Sequence, residues 1–345
     1  MADEGALRVQ LHALFEDLVR RSRERDEARF VPEQLYHYTS VEGLKGILDS
    51  GQIWATQSGY LNDSKEFSYG RELAFDVIQE RKIAHRVPIT NVWLNRVATA
   101  IKNGIPGGEL YVACFCEQGD LLSQWRGYGR GCGYSIRLRP KEIVFSRLPW
   151  RLCALVQVIY SPEVQRRLVM EVLDHYIESL IGFAAHFTEK AISSFSNSVM
   201  SDYIDELRDS SKLSSTDFLE EILRYHVSHV SVELDNLFGY FKHPGFEEEK
   251  EWRLIHYNSA VQGSPHIEYR ILNGILVPYV ELPLFWDEEG KPGIFQITQI
   301  TCGPSSQPDA ARTSVEHYVT KLRTEREGIF GGVEVTNSKT PLKTW

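Results

Sequence analysis

Hydrophobic and polar positions follow two different periods near residue 35. Over Leu35–Thr39 the side chains alternate, which predicts a strand with His37 and Thr39 on one face. Apolar residues then recur at helical spacing as far as Gly51, and Thr39 with Glu42 has the spacing of a capping box. The pattern therefore predicts a strand followed at once by a helix. His37 would stand close to the helix N-terminus, where anions are favoured.

The same two periods divide the rest of the chain. Extended apolar runs predict strands at residues 53–56, 110–116, 133–138, 152–158, 251–257, 271–272, 280–282 and 294–300. Helical spacing predicts helices at residues 6–28, 66–79, 89–103, 161–181, 217–237 and 309–325. Since strands stand on both sides of a helical stretch, the order of elements predicts an α+β fold.

The helical stretch between the two groups of strands begins sharply. Ser161 followed by Pro162 is a typical helix start. We predict a single domain over residues 1–345 in which a helical block interrupts a β core. Its parts are a leading helix at 1–30, the first half of the core at 31–160, the helical insertion at 161–240 and the second half of the core at 241–345.

The overall charge disfavours some classes of partner. The 345 residues carry a formal net charge of −9 and a pI of about 5.7, which argues against chain-wide attraction to nucleic acid or anionic membranes. Basic residues between Arg126 and Arg151 keep local nucleic-acid binding as an alternative, although a solvated strand edge is the favoured explanation for them. Without a secretory signal or a long apolar run, and with five irregularly spaced cysteines, we expect a cytoplasmic protein with reduced thiols.

Two carboxylates stand at the entrance of a predicted strand. On an extended backbone Glu249, Glu251 and Arg253 project to the same side. Paired carboxylates can orient a hydroxyl, act as a general base or stabilise a cationic transition state. The alternative is a solvated acidic run, as is common before strands. The acidic residues lead directly into the apolar residues of the strand, and this position favours the functional interpretation.

A glycine-rich segment at residues 122–131 is predicted to be a loop that could bind a ligand. Trp125 and Tyr128 could stack on a flat ring while Arg126 or Arg130 contacts a phosphate. The alternative is a structural turn whose tryptophan anchors the core. His226 and His229 lie three apart on a predicted helix, but without an obvious third ligand we predict no metal site.

Several motifs spread over residues 34–305 resemble those of a widespread bacterial family of unknown function. They are LYHYTS, LNDxxEF, LLSQWRGYG, EKEWRLI and ITQITCGP, with GLKGIL and GQIWAT between the first two. The helical block is the part of the chain with the fewest such motifs. This resemblance brings no established activity.

The motifs LYHYTS and EKEWRLI are also similar to motifs of ADP-ribosyltransferases. In those enzymes a strand carries a histidine, a hydroxyl residue and a helix follow, and a later strand begins with a glutamate, often as Glu-x-Glu. His37 with Thr39 matches the first pattern, and Glu249-Lys250-Glu251 matches the last. The resemblance implies a split β-sheet core that binds NAD as a substrate.

The resemblance also implies a role for the matched residues. His37, with Tyr38 and Thr39, would hold a ribose hydroxyl of NAD. Glu251, beside Glu249, would stabilise the oxocarbenium-like centre as nicotinamide departs.

The family's middle motif, which supplies an aromatic ring or a hydroxyl pair, has no clear match in this chain. Tyr111, Tyr134 or the aromatic residues Trp125 and Tyr128 would have to replace it.

Two classes of function follow from these observations. The first is an enzyme that cleaves NAD and transfers ADP-ribose to a macromolecule or to water, and the resemblance adds the expectation of a bacterial toxin or phage-defence effector. The second is a non-enzymatic sensor or interaction module with the same fold, whose helical insertion contacts a protein partner.

Overall fold

The computed structural model describes eleven segments of the chain. They are residues 32–61, 65–84, 88–103, 109–128, 133–140, 153–184, 215–258, 266–272, 274–284, 295–326 and 330–341. The leading helix predicted at residues 6–28 lies outside these segments.

Ten strands and seven α-helices are interspersed along the described residues. The strands are β1 (Leu35–Thr39), β2 (Gln52–Gln57), β3 (Glu109–Cys116), β4 (Tyr134–Pro140), β5 (Cys153–Gln157), β6 (Glu251–Asn258), β7 (Glu268–Leu272), β8 (Ile275–Pro283), β9 (Phe295–Cys302) and β10 (Glu334–Asn337). The α-helices are α1 (Val41–Ser50), α2 (Lys65–Ala84), α3 (Pro88–Asn103), α4 (Leu122–Tyr128), α5 (Pro162–Ala184), α6 (Ser215–Phe238) and α7 (Pro308–Glu325). In the described residues no helix is both long and apolar enough to cross a membrane.

The described residues form two compact units. The helical unit contains α2, α3, α5 and α6, and the sheet unit contains the ten strands with α1, α4 and α7. The predicted helical block at 161–240 thus supplies two helices of the first unit. The other two, α2 and α3, come from the segment that we had predicted to belong to the first half of the β core.

Aromatic and ionic contacts join three of the helices of the helical unit, α3, α5 and α6. The ring of Trp93 on α3 stacks on Tyr176 of α5 at 6.3 Å between centroids. Tyr176 meets the ring of His226 on α6 edge-on at 6.0 Å. Arg96 on α3 forms a bidentate pair with Glu220 on α6, with one N–O distance of 3.1 Å. These contacts link residues far apart in sequence, and they bury His226 to 1% exposure.

In the sheet unit, ten strands form one open, mostly antiparallel sheet. Along the main path the order is β10-β9-β4-β1-β3-β2-β8-β7, and β6 pairs with both β3 and β5. The pair β9–β10 is parallel. Buried side chains of β1, β3, β6 and β9 pack with those of α1 and α7 in a single apolar core. This arrangement confirms the predicted mixture of helices and strands.

The first strand and helix join as predicted, but the cap is one residue later. The side chain of Ser40 accepts a hydrogen bond from the backbone N–H of Gly43, and its carbonyl begins the helix. The prediction that Thr39 caps the helix with Glu42 is therefore wrong. Ser40 has the same short hydroxyl and is one residue nearer to the first helical turn. Gly51 ends α1 in the left-handed conformation with φ 73°.

The sheet splits where β1 and β2 meet β3. Strand β6 pairs with β3 over its whole length, from Glu109 to Cys116. On the opposite edge, β1 pairs with β3 at Cys116, whereas β2 pairs with it at Tyr111 and Val112. One edge of β3 is thus shared by two strands at its two ends. The split lies beside Cys114, between these two pairings.

Candidate functional site

A cleft of about 500 Å³ opens at this split in the sheet unit. Its volume falls within the range of pockets that bind small molecules the size of a drug. Residues from β1 and the start of α1, from β2, from β3, from α4 and from the entrance of β6 line it, together with β7. The residues that carry polar or aromatic groups into it include Tyr36, His37, Thr39, Ser40, Glu42, Trp54, Thr56, Tyr60, Gln124, Tyr128, Glu249, Glu251 and Arg270.

The cleft brings together most of the residues predicted to form a site. Its lining includes His37, Tyr38, Thr39, Tyr128 and the pair formed by Glu249 and Glu251. These residues come from segments more than two hundred positions apart. By contrast, Tyr111 and Tyr134 are buried in the apolar core and do not line the cleft.

A hydrogen bond fixes the orientation of the His37 ring. Nδ1 lies 2.9 Å from the backbone oxygen of Cys114, at the split edge of β3. A carbonyl oxygen can only accept, so Nδ1 carries the proton and, in the neutral ring, Nε2 is an acceptor. Burial lowers the pKa of His37, the Cys114 carbonyl opposes this, and the charge of Arg270 adds to the decrease. The ring is therefore suited to accept a hydrogen bond from a ligand hydroxyl.

Register shows how His37 and Glu251 reach the same cleft. Tyr36, Cys116 and Glu251 stand side by side across β1, β3 and β6, so Tyr36 and Glu251 are about 10 Å apart at the strand spacing. His37 follows Tyr36 and belongs to the opposite face, where its ring lies 5.7 Å from Phe115. The split allows a side chain from each face to line one cleft.

The Glu251 carboxylate is buried beside an arginine. Glu251 is 3% exposed and Arg253 is fully buried. Arg253 Nε donates to Glu251 Oε1 at 2.7 Å, as expected for residues two apart on one face of a strand. The predicted common side of Glu251 and Arg253 is thus confirmed. The Arg253 guanidinium therefore fixes the position of the carboxylate at the entrance of β6.

The backbone before Glu251 is not extended, contrary to our prediction. A 3-10 helix spans Pro244–Glu249, and Lys250 then takes a left-handed conformation with φ 41°. For a residue with a Cβ this conformation costs roughly 1–2 kcal/mol. Backbone hydrogen bonds to Glu247 and from Glu117 hold the turn in place. The turn places Glu249 on the rim of the cleft and lets Glu251 enter the strand.

Thr39 lies against the first turn of α1. A Cβ added to Gly43 would overlap the hydroxyl of Thr39, so the absence of a side chain at Gly43 makes room for that hydroxyl. Because Ser40 caps the helix, the Thr39 side chain is not used as a cap. It lines the cleft on the side of the helix N-terminus.

The glycine-rich segment is a helix, not the predicted loop, over Leu122–Tyr128. Trp125 is 1% exposed and does not line the cleft. It meets Tyr38 edge-on at 4.8 Å and donates from Nε1 to Asp120 at 2.7 Å. The structure therefore places Trp125 as a structural anchor beneath Tyr38. Arg126 is exposed outside the cleft lining, while Tyr128 lines the cleft.

Asp120 links this anchor to a distant segment. Its carboxylate accepts from the backbone N–H of Lys339 at 2.7 Å and from the Thr340 hydroxyl at 2.9 Å. Burial alone would raise the pKa of Asp120, but the bonds from Ser338, Trp125, Lys339 and Thr340 lower it overall. Asp120 thereby holds Trp125, and through Trp125 the ring of Tyr38, at one wall of the cleft.

The sequence patterns did not indicate Arg270, Trp54 or Tyr279. These three residues cluster where β2, β7 and β8 adjoin, and Arg270 and Trp54 line the cleft. Arg270 Nη2 donates to Thr56 at 2.7 Å. The strands that carry them pair over long sequence separations, and no local pattern predicts such a pairing.

A second candidate for chemistry is a thiol–imidazole pair outside the cleft lining. Cys153 Sγ lies 3.2 Å from Nδ1 of His256 across β5 and β6. Burial raises the pKa of Cys153 to about 12 and lowers that of His256 to about 4, so both groups are neutral at pH 7. A neutral thiol is a poor nucleophile. Among the described residues, no cluster of three or more His, Cys, Asp or Glu side chains could hold a metal ion.

Comparison with known proteins finds that part of the chain is similar to one family model. Residues 124–254 match a family described as "Protein of unknown function (DUF2971)". This match confirms the predicted resemblance to a family of unknown function. It covers Trp125, Glu249 and Glu251, whereas His37 and Arg270 lie outside it. No curated protein and no solved structure matches the chain.

Proposed function

We propose that the chain is an ADP-ribosyltransferase-like enzyme that breaks the bond between nicotinamide and ribose in NAD. The observation that carries the proposal is that an acceptor nitrogen of His37 and the carboxylate of Glu251 line one cleft at a split in the sheet. The cleft is of suitable volume for a substrate of this class.

The proposed reaction begins with the departure of nicotinamide. The bond between C1′ of the ribose and the ring nitrogen breaks, and its electron pair leaves with nicotinamide. Positive charge develops at C1′, and the nearby Glu251 carboxylate stabilises it more strongly than it stabilises the neutral sugar. His37 would hold a ribose hydroxyl through Nε2, which fixes the sugar while the bond breaks.

A nucleophile completes the reaction. The oxygen of water or of a macromolecular hydroxyl forms the new bond to C1′, and its proton must pass to a base. Glu249 is half-buried on the same rim and has the carboxylate that this role needs. The products are nicotinamide and either free ADP-ribose or an ADP-ribosylated acceptor.

Glu251→Gln tests the proposal directly. We expect at least 100-fold slower release of nicotinamide from NAD, because the neutral amide cannot balance the charge at C1′. The matched control is Glu247→Gln, which removes an exposed carboxylate of the same 3-10 helix outside the cleft lining. The control should retain the wild-type rate.

Because Glu251 neutralises the buried Arg253, the glutamine variant can lose stability as well as activity. Glu251→Asp keeps the charge and shortens the side chain by one carbon, so it should fold and show intermediate activity. Full activity in a folded Glu251→Gln variant would contradict the role of this carboxylate. Failure of the wild type to bind NAD at millimolar concentration would overturn the whole proposal.

The burial of Glu251 against Arg253 favours one alternative. An ion pair of this kind can be purely structural, in which case the cleft would bind a ligand without cleaving it. A non-enzymatic sensor of this kind would bind both NAD and ADP-ribose in calorimetry and release no nicotinamide over hours. A measurable turnover that Glu251→Gln abolishes would exclude it.

A further inference from the structure

Arg270 is held in a fixed position on the cleft side of the β7–β8 hairpin. Register places Thr56 opposite Tyr279, and Tyr279 opposite Glu268, two residues before Arg270. Directly opposed residues and those two apart point to the same face. Arg270 therefore shares a face with Thr56 and Tyr279. Thr56 also pairs with Val112 of β3, so Val112 lies on this face. Cys114 and Cys116 follow on the same face of β3. Cys116 pairs with Glu251, so the face continues to Glu251.

Two aromatic rings and one hydroxyl fix the guanidinium group. Its central carbon lies 5.5 Å from the ring centroid of Trp54 and 5.9 Å from that of Tyr279. The two rings are themselves 4.5 Å apart, and Nη2 donates to the hydroxyl of Thr56. Arginine is suited to such a position because its planar group stacks on aromatic faces and stays charged. The group is thus oriented before any ligand arrives.

The positive charge of Arg270 has no counter-ion within salt-bridge distance among the described residues. Its Nε is buried there without a hydrogen-bond partner. The nearby carboxylate of Glu281 accepts from Trp54 Nε1 at 3.1 Å, and that of Glu251 accepts from Arg253. A half-buried guanidinium without a counter-ion is costly in free energy, and an anion bound from the cleft would offset that cost.

The geometry points to Arg270 as the phosphate-binding residue of the cleft, with a nucleotide as the ligand. This inference rests on the proposed function, since it places the phosphates of the same ligand whose ribose hydroxyl would meet His37. The guanidinium fork matches two phosphate oxygens. The ring of Trp54, 42% exposed, supplies an apolar surface beside it for the rest of the ligand.

Calorimetric titration with ADP, adenosine and inorganic pyrophosphate tests the inference at low ionic strength. We expect the wild-type chain to bind ADP at least tenfold more tightly than adenosine, and added salt to reduce that difference. Arg270→Gln should lower the affinity for ADP at least tenfold and leave that for adenosine within twofold. Arg270→Lys keeps the charge without the planar fork and should fall between the two.

Arg139→Gln is the matched control, because Arg139 is an exposed arginine of β4 outside the cleft lining. It should bind ADP as the wild type does. Equal affinity for ADP and adenosine would overturn the inference, as would a preference for ADP that survives in Arg270→Gln. Succinate binding as tightly as pyrophosphate would show a general anion site and overturn the assignment to phosphate.

The same set of proteins separates this inference from the proposed reaction. If Arg270→Gln released nicotinamide at the wild-type rate and bound ADP with the wild-type affinity, only the role of Arg270 would be contradicted. Phosphate-dependent binding by a chain that never releases nicotinamide would contradict only the reaction.

Discussion

At the scale of single residues, one hydrogen bond determines what the cleft offers to a ligand. The contact between His37 Nδ1 and the Cys114 carbonyl selects the tautomer whose Nε2 accepts. That contact exists because the pairings of β1 and β2 with β3 lie on either side of Cys114. The chemistry of His37 therefore depends on the split as much as on the residue itself.

Ligand affinity should depend on the protonation of His37. Since its pKa lies below the usual 6.5, the ring stays neutral at pH 7 and begins to take up a proton only at lower pH. A protonated Nε2 donates and can no longer accept from a hydroxyl. We expect the Kd for NAD to be constant between pH 7 and 8 and to rise about tenfold for each pH unit below the pKa of His37. Titration calorimetry across this range gives the measurement.

The His37→Gln variant supplies the comparison for this pH dependence. Glutamine also offers an acceptor but does not titrate, so any remaining change with pH belongs to other groups. If the Kd for NAD changed with pH equally in the variant and the wild type, a group other than His37 would cause the pH dependence.

At the scale of elements, the two glycines of α1, Gly43 and Gly46, have different surroundings. Gly43 leaves space for the Thr39 hydroxyl, whereas a Cβ at Gly46 would meet no atom within 4 Å. Both glycines carry the entropic cost of a residue without a side chain in a helix. Only Gly43 offsets that cost with a contact at the cleft.

We expect Gly46→Ala and Gly43→Ala to change stability in different directions. Alanine at position 46 should raise the free energy of unfolding by roughly 0.5–1 kcal/mol, the usual gain in a helix. Alanine at position 43 should show no gain or a loss, because its methyl group displaces Thr39. Urea denaturation of the two variants measures the difference. An equal gain in both would show that Thr39 adapts without cost.

Local patterns predicted the elements of the sheet well where the signal lay within a few residues. The alternation at residues 35–39 and the helical spacing up to Gly51 correctly predicted β1 and α1. The cap was misplaced because Thr39 and Ser40 have the same capping chemistry. Residues 122–131 were predicted as a loop from their glycines, yet Leu122, Trp125 and their neighbours form a helix that Trp125 anchors through burial.

The candidate site was predictable only in the part that short motifs describe. His37 and Glu251 stand in recognisable sequence patterns, and both line the cleft. Arg270 and its contact Thr56 are 214 positions apart, and Trp54 and Glu281 are 227 apart. Contacts over such separations follow from strand pairing, which local periodicity does not determine. The turn at Lys250 was missed because nothing in its side chain indicates a left-handed conformation.

At the scale of the whole molecule, each unit contains a buried histidine that resists protonation. His226 in the helical unit is 1% exposed, and His256 in the sheet unit is fully buried. Burial lowers the pKa of each to about 4, and for His226 the neighbouring His229 and His175 add to the decrease. Both residues therefore bind a proton more readily in the unfolded chain than in the folded one.

The free energy of unfolding should fall as the pH drops below 6.5. Below pH 6.5 the two histidines bind protons in the unfolded chain but stay neutral in the folded chain. This difference ends once the pH falls below their folded-state pKa of about 4. At pH 5 each histidine should cost about 2 kcal/mol relative to pH 7. Urea unfolding at several pH values, followed by far-UV circular dichroism, measures the loss.

Single variants assign this acid sensitivity to one unit or the other. His226→Gln should reduce the pH dependence of the helical unit, and His256→Gln that of the sheet unit, even if each variant is less stable at pH 7. Pulse proteolysis with fragment mapping distinguishes the units. An unchanged slope in both variants would show that other groups control acid unfolding.

The long interval between β3 and its partner β6 has a consequence during synthesis. Glu117 and Trp252, which are hydrogen-bonded where the two strands meet, are 135 residues apart. A ribosome adding roughly 5–20 residues per second needs on the order of ten seconds to cover that interval. Meanwhile one edge of β3, with its apolar side chains, has no strand to pair with and can join another nascent chain. Production of this protein should therefore depend on chaperones that bind extended apolar segments, and slower translation should increase its aggregation.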